Sequence, residues 1–236
     1  MTQLTAVITG ASYGIGYAIA TKLFAAGYNI AITARTQSKL SDAKTQLQAF
    51  NLDGKILALA ADMSKTEDRK EFASQILDLL GTPNVLVNNA GTFIPGQIQD
   101  EAEGSFELMM ETNVYSAYHL TRLLLPKMID KRSGHIFNIS SVAGIMAYSN
   151  GGSYSISKYA MNGFSKVLRS ELIPHNIKVT TVMPGATLTN SWAGTDLPDD
   201  RFMTANDVAD MVYASLCLSS SACVEEIILR PILGDI

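Results

Sequence analysis

Short apolar runs alternate with longer segments of mixed polarity along this chain, and that alternation restricts its fold more than any other feature. The strand-like runs are "LTAVIT" (4–9), "NIAITA" (29–34), "KILALAA" (55–61), "NVLVNN" (84–89), "HIFNIS" (135–140), "IKVTTVM" (177–183) and "EIILR" (226–230). Most are nearly continuous apolar stretches, as in parallel strands covered on both faces. Helix-like segments fill the intervals: 15–26, 37–50, 65–80, 103–131, 153–173 and 205–219. Gly27 follows the first of them in the manner of a C-terminal cap. Strands that alternate with helices imply βαβ units, right-handed crossovers and a three-layer, doubly wound parallel sheet of about seven strands. No internal repeat, low-complexity tract or linker interrupts the pattern, so residues 1–236 are expected to form one domain. The stretch 187–204, "TLTNSWAGTDLPDDRFMT", fits neither element. Long irregular loops in compact domains tend to be functional, and this one follows a strand's carboxyl end, where such sheets bind ligands.

Bulk composition excludes several functions. The chain has 236 residues, 47% apolar and 17% charged, in the range of a globular protein with a sizeable core. A net charge of −4 offers no basic footprint for nucleic acid. The two cysteines, Cys217 and Cys223, are too few for a disulfide framework or a zinc cluster. They read as small buried hydrophobes in a reducing compartment, and no metal site is expected. No basic segment precedes the first apolar run and no run approaches a membrane span, so the chain reads as cytoplasmic and without a membrane partner.

The segment "VITGASYGIGYAIA" joins the first strand to the first helix. Gly10, Gly14 and Gly16 give the spacing G-x3-G-x-G, a variant of the dinucleotide fingerprint of Rossmann folds. Glycines there permit a tight turn, let backbone N–H groups approach a pyrophosphate, and allow close helix–strand packing. The helix N-terminus adds donors and the positive end of a dipole. The same residues hold a rival reading. "GASYG" (10–14) matches the G-x-S-x-G nucleophile elbow of α/β-hydrolases, with Ser12 as nucleophile. Only one strand precedes Ser12, leaving no earlier loop for the second oxyanion donor. His119, His135 and His175 also fall outside the late loop where a triad histidine is expected.

"SYSISKYAMNGF" (153–164) sets Tyr154 and Lys158 four residues apart, on one face of a helix. Alone, such a pair reads as a solvated face. It gains meaning only if other residues build a site around it.

They do so in order. "TGASYGIG" (9–16), "NNAG" (88–91), Asn113 in "ETNVYSAYHLT", Ser141 as the second serine of "NISSVAG", "YSISK" (154–158) and "MPGATLT" (183–189) together resemble the short-chain dehydrogenase/reductase family along essentially the whole chain. The resemblance implies hydride transfer between a nicotinamide and a carbonyl or secondary alcohol, with Asn113, Ser141, Tyr154 and Lys158 as the catalytic set. Tyr154 would be the general acid/base. An unperturbed phenol titrates near 10, and the Lys158 cation would lower that value by favouring the phenolate. By the same resemblance Lys158 bonds the ribose, Ser141 donates to the substrate oxygen, and Asn113 holds a water that links Lys158 to solvent. The cofactor contacts it implies are Gly10, Ser12, Tyr13, Gly14, Ile15, Gly16, Arg35, Asp62, Asn89, Ala90, Gly91, Tyr154, Lys158, Pro184, Gly185, Thr187 and Thr189.

Some assignments keep two readings. Asn89 braces the sheet edge near the cofactor or is structural only. Asp62 binds the adenine or caps the helix that follows it. Tyr148 and Trp192 line a substrate pocket or belong to the core. A protein that binds dinucleotide without turnover would share the fold but would be free to lose some of the catalytic set.

Cofactor choice turns on the end of the second strand, "AITARTQSKL". An acidic residue ~20 residues past the glycine turn selects NAD, and an Arg nearby accommodates the 2′-phosphate of NADP. Ala34 stands at the acidic position and Arg35 beside it, which predicts NADP. Tyr13 stands where some NADP-dependent members carry a second basic residue.

Substrate cues diverge. The approach "SNGGSYSISK" resembles 3-oxoacyl-(acyl carrier protein) reductases, which makes an acyl-carrier-bound substrate one candidate. The ending "VEEIILRPILGDI" resembles 3-hydroxy acid dehydrogenases and sepiapterin-type carbonyl reductases that act on small molecules. The segment 103–131 is apolar on more than one face, which predicts a subunit interface beyond its core packing and a homodimer or homotetramer.

Overall fold

The computed structural model describes residues 3–50 and 53–236. Seven parallel strands form one sheet in the order β3-β2-β1-β4-β5-β6-β7. They are β1 (Thr5–Thr9), β2 (Asn29–Ala34), β3 (Ile56–Ala60), β4 (Val85–Asn88), β5 (Gly134–Ile139), β6 (Ile177–Pro184) and β7 (Glu226–Leu229). Each lies within two residues of the run that predicted it at either end. The strand order reverses between β1 and β4, which are hydrogen-bonded neighbours in register from Ala6–Val85 to Ile8–Val87. A crevice opens at such a switch point, beyond the carboxyl ends of the strands.

Alternation along each strand feeds two cores. Ala6, Ile8, Val85, Val87, Phe137 and Ile139 point to one face, where they meet α1 (Gly14–Ala25), α2 (Gln37–Gln48) and α7 (Ala205–Leu216). Val7, Leu86 and Ile136 point to the other, against α3 (Thr66–Leu79), α5 (Ser116–Lys131) and α6 (Gly152–Leu172). Each fully buried Leu, Ile or Phe contributes ~1.5–3 kcal/mol of transfer free energy. Both sheet faces are therefore covered, which is why the strands read as unbroken apolar runs.

The helices also follow their predicted positions, with informative departures. Helix α1 ends at Ala25 with Ala26 as its C-cap, and Gly27 takes φ +91° as the left-handed residue beyond it. The predicted segment 103–131 is not one helix. A short α4 (Ser105–Met110) runs into a π-helical turn at Glu111–Tyr115 before α5 begins. The widened turn carries Asn113, and such bulges concentrate at functional sites. Helix α7 stops at Leu216, short of the predicted 219, and the loop 187–204 ends in its capping box. Thr204 Oγ1 accepts from Asp207 N at 3.2 Å while Asp207 Oδ2 accepts from Thr204 N at 2.7 Å. The cysteines depart from expectation: Cys217 is exposed beyond the end of α7, and Cys223 is half-buried. Both lie outside the helix and strand faces that fill the core. Among the described residues no helix is long and apolar enough to cross a membrane.

Candidate active site

The glycine turn is built for close approach. Gly10 takes φ +65°, and a Cβ there would sit 3.0 Å from Ala90 Cα. At Gly16 a Cβ would lie 2.4 Å from Asn89 Nδ2 and 2.5 Å from the Gly10 carbonyl oxygen. Asn89 explains the crowding: its Nδ2 donates to the carbonyls of Thr9 (2.9 Å) and Gly10 (3.0 Å). Thr9 returns the link, its Oγ1 accepting from the amides of Asn89 (3.0 Å) and Ala90 (2.9 Å). Strands β1 and β4 are thus laced together at the switch point. Helix α1 begins there with no side-chain cap and no acidic residue in its first turn. Its first amides are left to an incoming anion.

A cleft of about 620 Å³ starts at this turn. Tyr13, Ile15 and Arg35 line one end, and Ser141, Tyr154 and Lys158 line the other. Between and around them lie Asn89, Gly91, Pro184, Gly185, Thr187 and Thr189, all expected from the sequence. Tyr148 and Trp192 also line the cleft. Trp192 rests against Phe202 with ring centroids 5.0 Å apart.

Helix α6 carries Tyr154 and Lys158. The phenol stands deep in the cleft and Lys158 is buried. Lys158 Nζ donates to the Ile139 carbonyl at 3.0 Å, at the end of β5. Burial, with a smaller push from Tyr148, raises the Tyr154 phenol to about 12 against the pull of a Ser141 hydrogen bond. Burial also lowers Lys158 to about 8. In the nucleotide-free cleft, burial outweighs any pull of the Lys158 charge on the phenol. Desolvation disfavours the charged form of both groups and dominates here.

Asn113 is fully buried behind the cleft. Its Oδ1 accepts from Thr92 N at 2.7 Å, and its Nδ2 donates to Thr92 O (3.0 Å) and Ser157 Oγ (2.9 Å). Its side chain thus anchors the loop after β4 to α6. Ser141 caps the 3₁₀ turn Val142–Gly144, accepting from Ala143 N at 3.1 Å.

Asp62 does not cap α3, whose N-cap is Lys65. It closes a local turn instead, its Oδ1 accepting from Ser64 N (3.0 Å) and Ser64 Oγ (2.8 Å). Burial works to raise its carboxyl, but those two bonds and the Arg35 and Lys65 charges hold it below the ordinary carboxylate range. Ser12 sits half-buried in the glycine turn, and none of the three histidines lines the cleft. Sequence reasoning missed Thr9, Phe93 and Glu101. Thr9 could be suspected from its place before Gly10. Phe93, edge-on to Tyr154 at 4.9 Å, and Glu101 sit in a loop without pattern.

A family model described as short chain dehydrogenase matches residues 4–198. The chain belongs to the short-chain dehydrogenase family. Among its relatives is the sepiapterin reductase of Chlorobaculum tepidum, 33% identical over 241 residues, covering 98% of this chain and 97% of that one. Two solved members superpose over nearly their full length. One is the alcohol dehydrogenase of the archaeon Thermococcus sibiricus complexed with 5-hydroxy-NADP, with a TM-score of 0.92, 27% identity and 99% of each chain covered. The other is a metagenomic short-chain oxidoreductase in complex with NADP, with a TM-score of 0.84, 32% identity and 98% of each chain covered. The chain therefore covers these three proteins over nearly their full length.

Proposed function

We propose that this chain is an NADP(H)-dependent reductase of small carbonyl compounds, with Tyr154 as the proton donor. The observation that carries the reading is one cleft that runs from the uncapped start of α1, beside Arg35, to Ser141, Tyr154 and Lys158. A side chain at Gly10 would press on Ala90 and Asn89, and one at Gly16 on Asn89 and the Gly10 carbonyl, so the two glycines keep the turn tight where a dinucleotide's phosphates would sit. When bound, the nicotinamide supplies the hydride. The chain's own residues do the rest. Arg35 offers its planar fork of donors to a 2′-phosphate, and Ala34 presents no carboxylate to repel it. The two similar proteins solved with NADP or 5-hydroxy-NADP support that choice.

Tyr154, held protonated at neutral pH, donates its phenolic proton to the carbonyl oxygen as that oxygen gains charge. Ser141 orients the same oxygen by hydrogen bonding. A phenol raised to about 12 is protonated at pH 7 and so enters the reductive step as the donor. Lys158 sits one helical turn away and would hold the sugar of the bound cofactor with its ammonium. Asn113 keeps the floor of the cleft in place through Thr92 and Ser157.

The substrate wall is largely neutral: Phe93, Met146, Tyr148 and Trp192, with Asn150 and Asn190 as polar points. Among the described residues lining the cleft the cations are Arg35 and Lys158, neither available to a substrate carboxylate. A neutral carbonyl therefore suits the site better than a free 3-oxo acid. The Chlorobaculum relative favours a pterin side chain as a second reading. Thr187, Thr189, Asn190 and Trp192 of loop 187–204 line the cleft, and exposed Tyr115, Tyr118, Leu123, Ile156 and Tyr159 on the outer faces of the π turn, α5 and α6 suit the interface of a homodimer or homotetramer.

A turnover screen with NADPH against aryl ketones, sepiapterin, β-ketoacyl thioesters and free 3-oxo acids tests the reading. Reduction of the neutral carbonyls, with the free acids poorest and Tyr154→Phe inactive yet still binding NADPH, is the expected result. Reduction that persists unchanged in Tyr154→Phe would overturn the assignment.

A further inference from the structure

The start of α6 is held by a carboxylate from outside the helix. Its N-cap, Gly151, offers no side chain. Glu101, in the connection between β4 and α4, supplies the missing acceptor: Oε1 takes the Ser153 N–H at 2.7 Å, and Oε2 takes the Ser153 hydroxyl in a short bond. A carboxylate suits that place, since it meets open amides and the positive end of the helix dipole. Two glycines make room for it. A Cβ on Gly152, which has φ +24°, would fall on Glu101 Oε1, and one on Gly96 would lie 2.7 Å from Glu101 Cγ. The same loop docks again where Gly96 N donates to the Asn150 carbonyl at 3.1 Å. Near its beginning Phe93 packs edge-on against the Tyr154 ring. Phe93 and Pro95 from this loop, with Tyr148 and Asn150 opposite, line the substrate end of the cleft.

We propose that Glu101 is a positioning residue that clasps loop 92–101 to the first turn of α6, fixing the substrate wall and the Tyr154 ring beside it. It is not among the residues that line the cleft. Its influence passes through Ser153, the residue before Tyr154, and through Phe93. The carboxylate's loss would free the wall while leaving the glycine turn, on the far side of the cleft, unchanged. The kinetic part of this inference rests on the carbonyl-reductase reading; the structural part does not.

Four variants test it: Glu101→Ala, Glu101→Gln, Ser153→Ala and Gly152→Ala. The readouts are kcat and KM for a ketone, Kd for NADPH, and hydrogen exchange of segments 92–101 and 152–155 in the nucleotide-free protein. Glu101→Ala should lower kcat/KM about ten-fold or more, since small displacements near a reacting group are costly, with NADPH Kd within about two-fold. Exchange in both segments should rise by at least about ten-fold. Glu101→Gln keeps one oxygen for the Ser153 amide and should recover part of the loss. Gly152→Ala should reproduce the defect by displacing the carboxylate, and should add little to Glu101→Ala, the mark of a shared interaction. If Glu101→Ala does not fold, Ser153→Ala and Gly152→Ala carry the same comparison. Exchange and kcat/KM within about two-fold of wild type would overturn the proposal, as would a loss of NADPH affinity in step with kcat/KM. A wild type that reduces no carbonyl would end the functional reading, and the exchange data would still decide the clasp.

Discussion

Lys158 Nζ lies 5.6 Å from the centroid of the Tyr154 ring, over its face and one turn along the same helix, while bonded to the Ile139 carbonyl. Both groups are shifted toward their neutral forms, the phenol up to about 12 and the amine down to about 8. In nucleotide-free protein, Lys158 should therefore titrate near 8, against the ordinary 10.5. Isotope-labelled lysine NMR can read it directly, with Lys158→Met assigning the signal. A midpoint at or above the ordinary value would mean that burial does not govern this amine.

Arg35 bears on cofactor choice. It is exposed at the end of β2, near Tyr13, whose ring has the Lys39 ammonium 5.8 Å from its centroid. Arg35→Ala should raise KM for NADPH about ten-fold or more and KM for NADH less than about two-fold, since only the first loses a charge-assisted contact. Maximal rate should change little, because the phosphate lies far from the hydride. Equal effects on the two nucleotides, or a wild type that prefers NADH, would refute the role.

His135 should make stability depend on pH. It is buried in β5, stacked on Phe137 with ring centroids 4.0 Å apart and 2.7 Å from Thr180 Oγ1. Burial, then the Lys178 charge, lowers its pKa from 6.5 to about 3. The unfolded chain thus binds a proton that the folded one refuses between those values. Stability from this group is complete above pH 6.5 and is lost as pH falls toward 3, by at most ~1.4 kcal/mol per unit. Urea denaturation at pH 7.5 and pH 5 should show wild type losing ~1–2 kcal/mol more than His135→Asn. Identical losses in the two proteins would place the titration elsewhere.

Asn89 laces the glycine turn, so Asn89→Ala should harm both stability and nucleotide binding. Two carbonyls, of Thr9 and Gly10, would lose their donor, at a cost of ~1–3 kcal/mol for buried groups left unpaired. A thermal midpoint lowered by several degrees with weaker NADPH binding is expected. A variant that binds NADPH as tightly as wild type would make Asn89 purely structural.

The sequence by itself determined the element order, because burial on both faces demands unbroken apolar strands and each helix needs one apolar stripe. It also marked part of the cleft lining, since a glycine turn, an Arg without an acid, and Tyr154 with Lys158 are local patterns, whereas Phe93, Met146 and Asn150 carry none. Tertiary structure decided what those residues experience. The phenol's direction of shift follows from how much water reaches it, and the Tyr154–Lys158 spacing says nothing about that. Asn113 was legible as a site residue, but it sits on a π-helical turn that no spacing announces, and its partners come from the loop after β4 (Thr92) and from α6 (Ser157). Asp62 looked like a cap because a helix follows it, and the chain turned on Ser64 before that helix began. Glu101 was invisible for the same reason. Its role depends on a contact 52 residues away at Ser153, made only when β4 and α6 are packed in one molecule.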